Sequence, residues 1–428
     1  MLNIEEYLNN FFKGTKDPSL DAMQYFMNEY NNFQNEMNFI HVAGTNGKGS
    51  CVEMISNILV KQGYKVGKFI SPHLIRYNER ISINGTEITN EEMSELIEEL
   101  KPKIEKYNDN KKVNITLFEL ETTMALLYFY RKKVDYVVLE TGLGGLYDCT
   151  NVITKPLVSV ITSIGYDHMH ILGNTLEEIA YQKAGIIKEN SNTVFFEQSK
   201  EINKVFANVC KEKNNNLYLI TEDEIQNYKY DNEYQYFDYG EYKNIAVILK
   251  GKKQTQNAAI CIETMKILKK LGHNVTEYSI REGLKTVIHR ARMEVLNKSP
   301  LIIYDGAHNE PAIENLQSMV NMYYNNFKRI YIVSILERKD YEKMIQLLMQ
   351  DEEAEFIFTS GNDPQRYATK EKLYKVALKY KKNQKIRTED LEKAIDDVFK
   401  GNNNVANFIV GSFYTYGTVI NKIRKMDS

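Results

Sequence analysis

The apolar run at residues 37–42 leads directly into Gly44-Thr45-Asn46-Gly47-Lys48-Gly49-Ser50, and residues 47–63 then place Val52, Ile55 and Leu59 at helical spacing. Buried strand, glycine loop and helix in that order leave few folds open. Glycines let a backbone approach phosphate oxygens, and the start of a helix offers unpaired N–H groups and a positive dipole. Lys48 adds a point charge suited to β- and γ-phosphates, and Ser50 is a candidate magnesium ligand. Gly49, between the lysine and the hydroxyl residue, departs from the common G-x-x-x-x-G-K-[ST] loop. The competing reading is a glycine-rich turn that carries a surface lysine.

Further apolar runs at residues 134–139 and 157–161 end in polar, glycine-containing turns followed by new elements. That alternation predicts a parallel sheet with crossover helices, whose active site lies beyond the carboxyl ends of the strands. Glu140 closes one run and Asp167-His168 follow the next, so a carboxylate and an imidazole are expected at neighbouring strand ends. Magnesium held against nucleotide phosphates needs a few such oxygens besides retained waters. Taken singly, these residues read equally as a strand-end glutamate, a helix-capping aspartate and a polar-turn histidine. Thr175 and Glu178 form a capping box for a helix at residues 176–184.

Residues 190–250 are less regular, and Asn214–216 with the tyrosine-rich 228–242 predict turns and antiparallel strands. After Asn297, Ser299 and Pro300 the alternation restarts. Strands are expected at 301–304, 329–335, 355–359 and 406–410, with helices at 311–323 and 341–349 and two further helical patterns. The turn at 297–300 reads as a linker, which divides the chain into domains 1–297 and 298–428. The fold class expected is α/β, a P-loop nucleotide-binding domain with a parallel-sheet core plus a smaller Rossmann-like C-terminal α/β domain.

A chain of 428 residues with 43% hydrophobic content can bury more than one core, since single cores stop growing near about 250–300 residues. Its 55 basic and 57 acidic residues nearly cancel, so there is no general positive field to hold a nucleic acid. Cys51, Cys149, Cys210 and Cys261 form no C-x-x-C pair and suggest neither zinc nor a disulfide framework. Residues 1–13 lack a basic segment followed by an apolar one, and no run approaches the length of a membrane span. A soluble, unprocessed, cytoplasmic monomer with small-molecule partners, and with neither nucleic acid nor membrane, is the expectation.

Taken together, the motifs carry a resemblance. His41-Val42-Ala43-Gly44-Thr45-Asn46-Gly47-Lys48-Gly49-Ser50 is followed in order by Ser71-Pro72-His73-Leu74, Asn78-Glu79-Arg80-Ile81 and Thr116-Leu117-Phe118-Glu119. Next come Glu140-Thr141-Gly142-Leu143-Gly144-Gly145 with Asp148 and Thr150-Asn151, then Ile161 to His168, and Lys183-Ala184-Gly185-Ile186-Ile187-Lys188. Gln254, Asn257-Ala258, Arg292, Asp305-Gly306-Ala307-His308-Asn309, Lys339-Asp340 and Gly411-Ser412 complete the series. Over nearly its whole length the chain resembles the folylpolyglutamate synthase and dihydrofolate synthase branch of the Mur ligase family, in which the extra glycine of the loop is expected.

The resemblance implies an ATP-dependent ligase that joins L-glutamate to a folate-type carboxylate through an acyl phosphate. It implies Thr45, Asn46, Gly47, Lys48, Gly49, Ser50, Asn257, Arg292, Asp305 and His308 as ATP contacts, the last two from the second domain. Ser50, Ser71, Glu140 and His168 become magnesium ligands, and Lys48, His168 and Lys183 the catalytic set. Lys183 aligns with a lysine that is carbamylated in Mur-type ligases, the alternative being an unmodified amine in an ion pair or on a helix surface. Thr116, Phe118, Glu119, Tyr147, Asp148 and Cys149 fall on the folate side, where Phe118 reads equally as a ring-stacking residue and as core.

Leu146 stands where that family often has arginine, Cys149 where alanine is usual and Ala22 where arginine is frequent, which bears on the acceptor. Dihydropteroate and reduced folate together are the favoured acceptors, with use of either one alone as the alternative. A peptidoglycan Mur ligase fits the motifs less well. A nucleotide-binding regulatory protein without ligase activity is the reading from another class.

Overall fold

The computed structural model describes residues 4–12, 19–363, 365–401 and 404–427, so part of the 1–13 segment lies outside the described residues. Two compact units are formed, one from Met1–Ile248 with Lys252–Val287 and the other from Leu249–Gly251 with Ile288–Ser428. The turn read as a linker is the turn of a hairpin inside the second unit, where Asn297 Nδ2 donates to the Pro300 carbonyl at 2.9 Å. Arg292 accordingly belongs to the second unit, together with Asp305 and His308.

The first unit is built on β1 (Phe39–Ala43), β2 (Val66–Phe69), β3 (Ile81–Ile83), β4 (Thr86–Glu87), β5 (Tyr136–Glu140), β6 (Val158–Ile161), β7 (Asn192–Phe196) and β8 (Asn216–Ile220). Among the described residues these eight strands form one sheet in the order β4-β3-β2-β5-β1-β6-β7-β8. Pairing is parallel from β2 to β8, while β3 and β4 add an antiparallel edge. All residues of β1 and β5 are buried because helices cover both faces, the condition under which a strand reads as a continuous apolar run.

One face is filled by the helix Leu117–Arg131, whose Leu120, Met124 and Phe129 pack with Phe39, Phe69 and Leu139. Buried side chains of this size contribute about 1.5–3 kcal/mol each. On the other face the helix Lys48–Lys61 packs against the helices Lys252–Lys270 and Glu277–Lys285. That crossing is close enough that a Cβ on Gly283 would come within 2.6 Å of Ile58 Cα. The tyrosine-rich segment forms a three-stranded antiparallel sheet of β9 (Ile225–Tyr230), β10 (Gln235–Tyr239) and β11 (Tyr242–Val247), as its pattern predicts.

The second unit contains β12 (Glu294–Lys298), β13 (Leu301–Asp305), β14 (Lys328–Val333), β15 (Glu355–Phe358), β16 (Lys385–Thr388) and β17 (Val405–Val410). Their order is β12-β13-β17-β14-β15-β16, parallel except for the β12 edge. Tyr331 stacks between Phe356 and Phe408 with centroids 5.1 and 5.2 Å away, and its hydroxyl donates to Asp351. The expected fold class therefore holds for both units, each a parallel sheet covered by helices.

Candidate active site

The loop after β1 is set by two glycines. Gly44 has φ +154°, and a Cβ there would lie 1.8 Å from Thr162 Oγ1. Gly47 has φ +90° and caps the helix Lys48–Lys61, and its Cβ would meet Asn257 Oδ1 at 2.8 Å. Only glycine suits such positions at low cost. The loop is also stitched to the end of β6. Thr45 N donates to the Ser163 carbonyl at 2.7 Å, Thr45 Oγ1 donates to the Gly165 carbonyl at 3.1 Å, and Thr162 Oγ1 donates to the Asn46 carbonyl at 2.8 Å.

Lys48 curls over the loop, and its Nζ donates to the carbonyls of Gly44 at 3.0 Å and Thr45 at 3.4 Å. Ser50, one turn into the helix, accepts from Gln254 Nε2 at 3.1 Å, and Gln254 in turn accepts from Asn257 Nδ2 at 3.0 Å. In the sequence Gln254 is only part of a motif, and its spacing of three residues from Asn257 on one helix is the signal that pairs them.

Lys183 comes from the helix Leu176–Ala184, which begins with the expected Thr175–Glu178 capping box. It is buried, and its Nζ donates to the Gly44 carbonyl at 2.9 Å, the same oxygen that Lys48 reaches. Burial, and then the charge of Lys48, lowers its pKa to about 7, while Asp167 and Asp148 pull the other way. A good part of this amine is therefore neutral near pH 7.

Glu140 ends β5 as a buried carboxylate, and its Oε2 accepts from Ser71 N at 3.3 Å across from the end of β2. His168 follows β6 with φ +51° and lies 3.7 Å from the Asp167 carboxylate, whose Oδ1 also accepts from His168 N. Among the described residues no three His, Cys, Asp or Glu side chains converge on one point. The Glu140 carboxylate and the Ser71 hydroxyl beyond strand ends, with the Ser50 hydroxyl in the helix Lys48–Lys61, are hard oxygens of the kind magnesium takes when phosphates and waters complete its shell. The residues thus fit a nucleotide-borne magnesium better than a metal caged by protein alone.

Of the residues expected on the folate side, Thr116 and Glu119 bind one another as the capping box of the helix Leu117–Arg131. Glu119 Oε2 accepts from Thr116 N at 2.7 Å and from Thr116 Oγ1 at 2.8 Å. Phe118 lies 5.7 Å from Phe69 and against the Gly142 backbone, where a Cβ would meet its ring at 2.6 Å. Tyr147 is half exposed, Asp148 is buried, and Cys149 packs partly on the core. Cys51, Cys149, Cys210 and Cys261 are free thiols, three of them buried.

In the second unit, Asp305 ends β13 fully buried, with Oδ2 accepting from Met293 N at 3.0 Å and Oδ1 from Ala307 N at 2.9 Å. Burial raises its pKa, and the Arg292 charge and these two N–H groups oppose the rise. Arg292 stacks 4.6 Å from the Phe413 ring, and His308 lies 5.2 Å from the same ring. Phe413 carries no signal in the sequence. A Cβ on Gly306 would meet its ring at 2.1 Å, so glycine there is what lets the ring sit against the strand end.

Strand, glycine loop, helix start and returning lysine have the form expected of a phosphate-binding loop on a parallel sheet, and comparison with known proteins gives the family. Residues 42–265 match the Mur ligase middle domain, and residues 291–412 match the Mur ligase glutamate ligase domain. The dihydrofolate synthase/folylpolyglutamate synthase of Bacillus subtilis is 35% identical over 95% of this chain and 94% of its own. Among solved structures, Mycobacterium tuberculosis folylpolyglutamate synthase complexed with ADP superposes with a TM-score of 0.88 at 26% identity, covering 99% of this chain and 97% of that one. Escherichia coli FolC in complex with DHPP and ADP gives 0.85 at 28% identity, again over 99% and 97%. The chain belongs to the Mur ligase family, within its folylpolyglutamate synthase and dihydrofolate synthase branch. No helix among the described residues is long and apolar enough to cross a membrane.

The buried lysine has a consequence for stability. Between about pH 7 and the usual lysine value near 10, the unfolded chain binds a proton at residue 183 that the folded chain lacks, so folding gains stability as pH rises. Relative to Lys183→Met, the natural chain is expected to gain about 2 kcal/mol between pH 7 and pH 9, given about 1.4 kcal/mol per unit at most. Urea unfolding at the two pH values measures it, and parallel slopes for the two proteins would contradict a depressed Lys183.

Proposed function

We propose that this protein ligates L-glutamate to the carboxylate of a folate-type acceptor at the expense of ATP, and that it uses both dihydropteroate and reduced folates. The observation that carries the reading is the phosphate loop, in which Gly44 and Gly47 open the backbone and Lys48 and Lys183 meet at one carbonyl. A carboxylate does not condense with an amine in neutral water because oxide cannot leave. The γ-phosphoryl group of ATP therefore moves to an acceptor carboxylate oxygen, with release of ADP. The glutamate amine then attacks the acyl carbon, inorganic phosphate leaves with the shared electron pair, and the amine gives up a proton.

Catalysis of the first step is mostly positioning and charge stabilisation. The N–H groups at the start of the helix Lys48–Lys61 and the Lys48 ammonium hold the phosphates, with Thr45, Asn46, Gly49 and Ser50 shaping the loop. Glu140, Ser71, Ser50 and His168 would hold magnesium, which offsets phosphate charge when bound. Asn257, Arg292, Asp305 and His308 are the further residues read as serving ATP. The acceptor lies along Phe118 and the segment Tyr147, Asp148 and Cys149, while Thr116 and Glu119 hold the start of the helix that carries Phe118.

Carbamylation of Lys183 suits the same site. A neutral amine near pH 7 attacks CO2 and loses a proton to give a carbamate, which puts an anion beside the Lys48 ammonium. A full-strength second ammonium at the Gly44 carbonyl would instead repel Lys48.

Purified protein with ATP, magnesium and glutamate is expected to release ADP only when dihydropteroate or tetrahydrofolate is added, with each acceptor gaining one glutamate in its product mass. ADP release without an acceptor would point to a nucleotide hydrolase or regulator, and loss of the dihydropteroate product alone would reduce the reading to a monofunctional enzyme. Lys48→Ala is expected to lower turnover about 100-fold or more, the scale of losing one well-placed electrostatic group. Its unfolding midpoint should stay near that of the natural chain, and unchanged turnover would remove the phosphate assignment. Lys183→Ala is expected to lose activity and to recover part of it with added small carboxylates, and the absence of any recovery would count against a carbamate.

A further inference from the structure

His41 precedes the phosphate loop by three residues on β1 and is fully buried. Burial first, and the charge of Lys188 second, hold its pKa down to about 3, so the ring is neutral with a single N–H. Nε2 lies 2.8 Å from Thr150 Oγ1, and Thr150 Oγ1 lies 2.5 Å from Asp148 Oδ1. Asp148 also accepts from Thr150 N at 3.0 Å and Leu143 N at 2.7 Å, and from the Gly142 backbone. With donors on every side, this carboxyl acts as an acceptor. Thr150 must then give its only hydroxyl proton to Asp148, and the proton between Thr150 and His41 has to come from Nε2. The other ring nitrogen, Nδ1, is buried with no hydrogen-bond partner. That suits a bare nitrogen, because an N–H buried there unpaired would be costly.

The loop of residues 142–151 is fastened on its other side as well. Leu146 N donates to the Gln182 carbonyl at 2.7 Å, and Asn151 Nδ2 donates to the Gly185 carbonyl at 3.2 Å. Lys183, from the same helix end, donates to the Gly44 carbonyl. The contacts close a ring from β1 through the loop and the helix Leu176–Ala184 to the phosphate loop. We propose that His41 is a positioning residue for the folate acceptor, its Nε2–H orienting the Thr150 hydroxyl onto Asp148 and so holding the 142–151 loop against the strand that carries the phosphate loop. The inference rests on the reading of Tyr147, Asp148 and Cys149 as the acceptor side.

An apolar residue in place of His41 leaves Thr150 without its donor and frees its hydroxyl to rotate off Asp148. A glutamine in the same place would restore a donor, because its amide nitrogen reaches about where Nε2 stands. Steady-state kinetics of the full chain with acceptor and ATP varied in turn give the test. His41→Leu is expected to raise the acceptor KM about 10-fold, the scale of one buried hydrogen bond, with the ATP KM within about 2-fold. His41→Gln should recover most of the loss. Thr150→Val should reproduce the defect, and the double variant His41→Leu/Thr150→Val should be no worse than either single one, since both break one relay.

Equal rises in both KM values, additive defects in the double variant, or a glutamine variant no better than the leucine one would each overturn the proposal. Asp148→Asn separates the two levels. If it leaves the acceptor KM unchanged, the acceptor-side reading fails. If it raises that KM while His41→Leu and Thr150→Val do not, the relay fails and the reading stands. Where His41→Leu does not fold, Thr150→Val carries the same comparison.

Discussion

The close approach of β1 and β6 at Gly44 is the constraint on which the rest of the first unit depends. A side chain at residue 44 would run into Thr162 Oγ1 at 1.8 Å, so the strands can end side by side only if that position is bare. Because they do, the loop hangs from the end of β6 by the hydrogen bonds of Thr45 and Asn46. Its Gly44 carbonyl then lies open to two ammonium groups, Lys48 from the following helix and Lys183 from a helix more than a hundred residues on. Burial of the Lys183 amine, and then the charge of Lys48 beside it, lowers its proton affinity, so two full cations are not held at that one oxygen. The chemistry proposed for that amine follows from the packing of two strands.

Both units use a similar device at their strand ends. Asp148 and Asp305 are buried carboxyls surrounded by backbone N–H donors, so each is an oriented acceptor with its pKa raised by burial and restrained by hydrogen bonds. Each also sits beside a glycine pressed on an aromatic ring, Gly142 on Phe118 and Gly306 on Phe413. A buried polar group satisfied on all sides stiffens its surroundings, whereas one lost partner is costly. This is why a threonine and a histidine that need not touch a ligand themselves can matter to the loop they hold.

Much of this was legible before the structure. The phosphate loop, the helix that follows it, the capping box at Thr175 and the strands at 301, 329, 355 and 406 rest on residues adjacent in the chain, and each is found with ends shifted by a few residues. The Thr116–Glu119 box is equally local, a threonine and a glutamate three residues apart at a helix start. Edge strands were harder. β12 and β16 are largely polar and half exposed, and pairing with a neighbour is what makes them strands. The turn at 297–300 has the composition of a linker, but the partition into units depends on which surfaces pack, and that places the division ten residues earlier and sends 249–251 to the second unit.

From the sequence alone came the class of fold, the phosphate loop and the family, because glycine positions, helical spacing and a run of ordered motifs act locally and need no partner to be recognised. Tertiary structure alone decided that Lys183 shares a carbonyl with Lys48, that Phe413 carries Arg292 and His308, and that His41 holds Thr150 across 109 positions of chain. These depend on how strands order themselves in a sheet and on how deeply each group is buried. Burial sets the proton affinity of an amine or an imidazole, and no spacing of residues along a chain can state it.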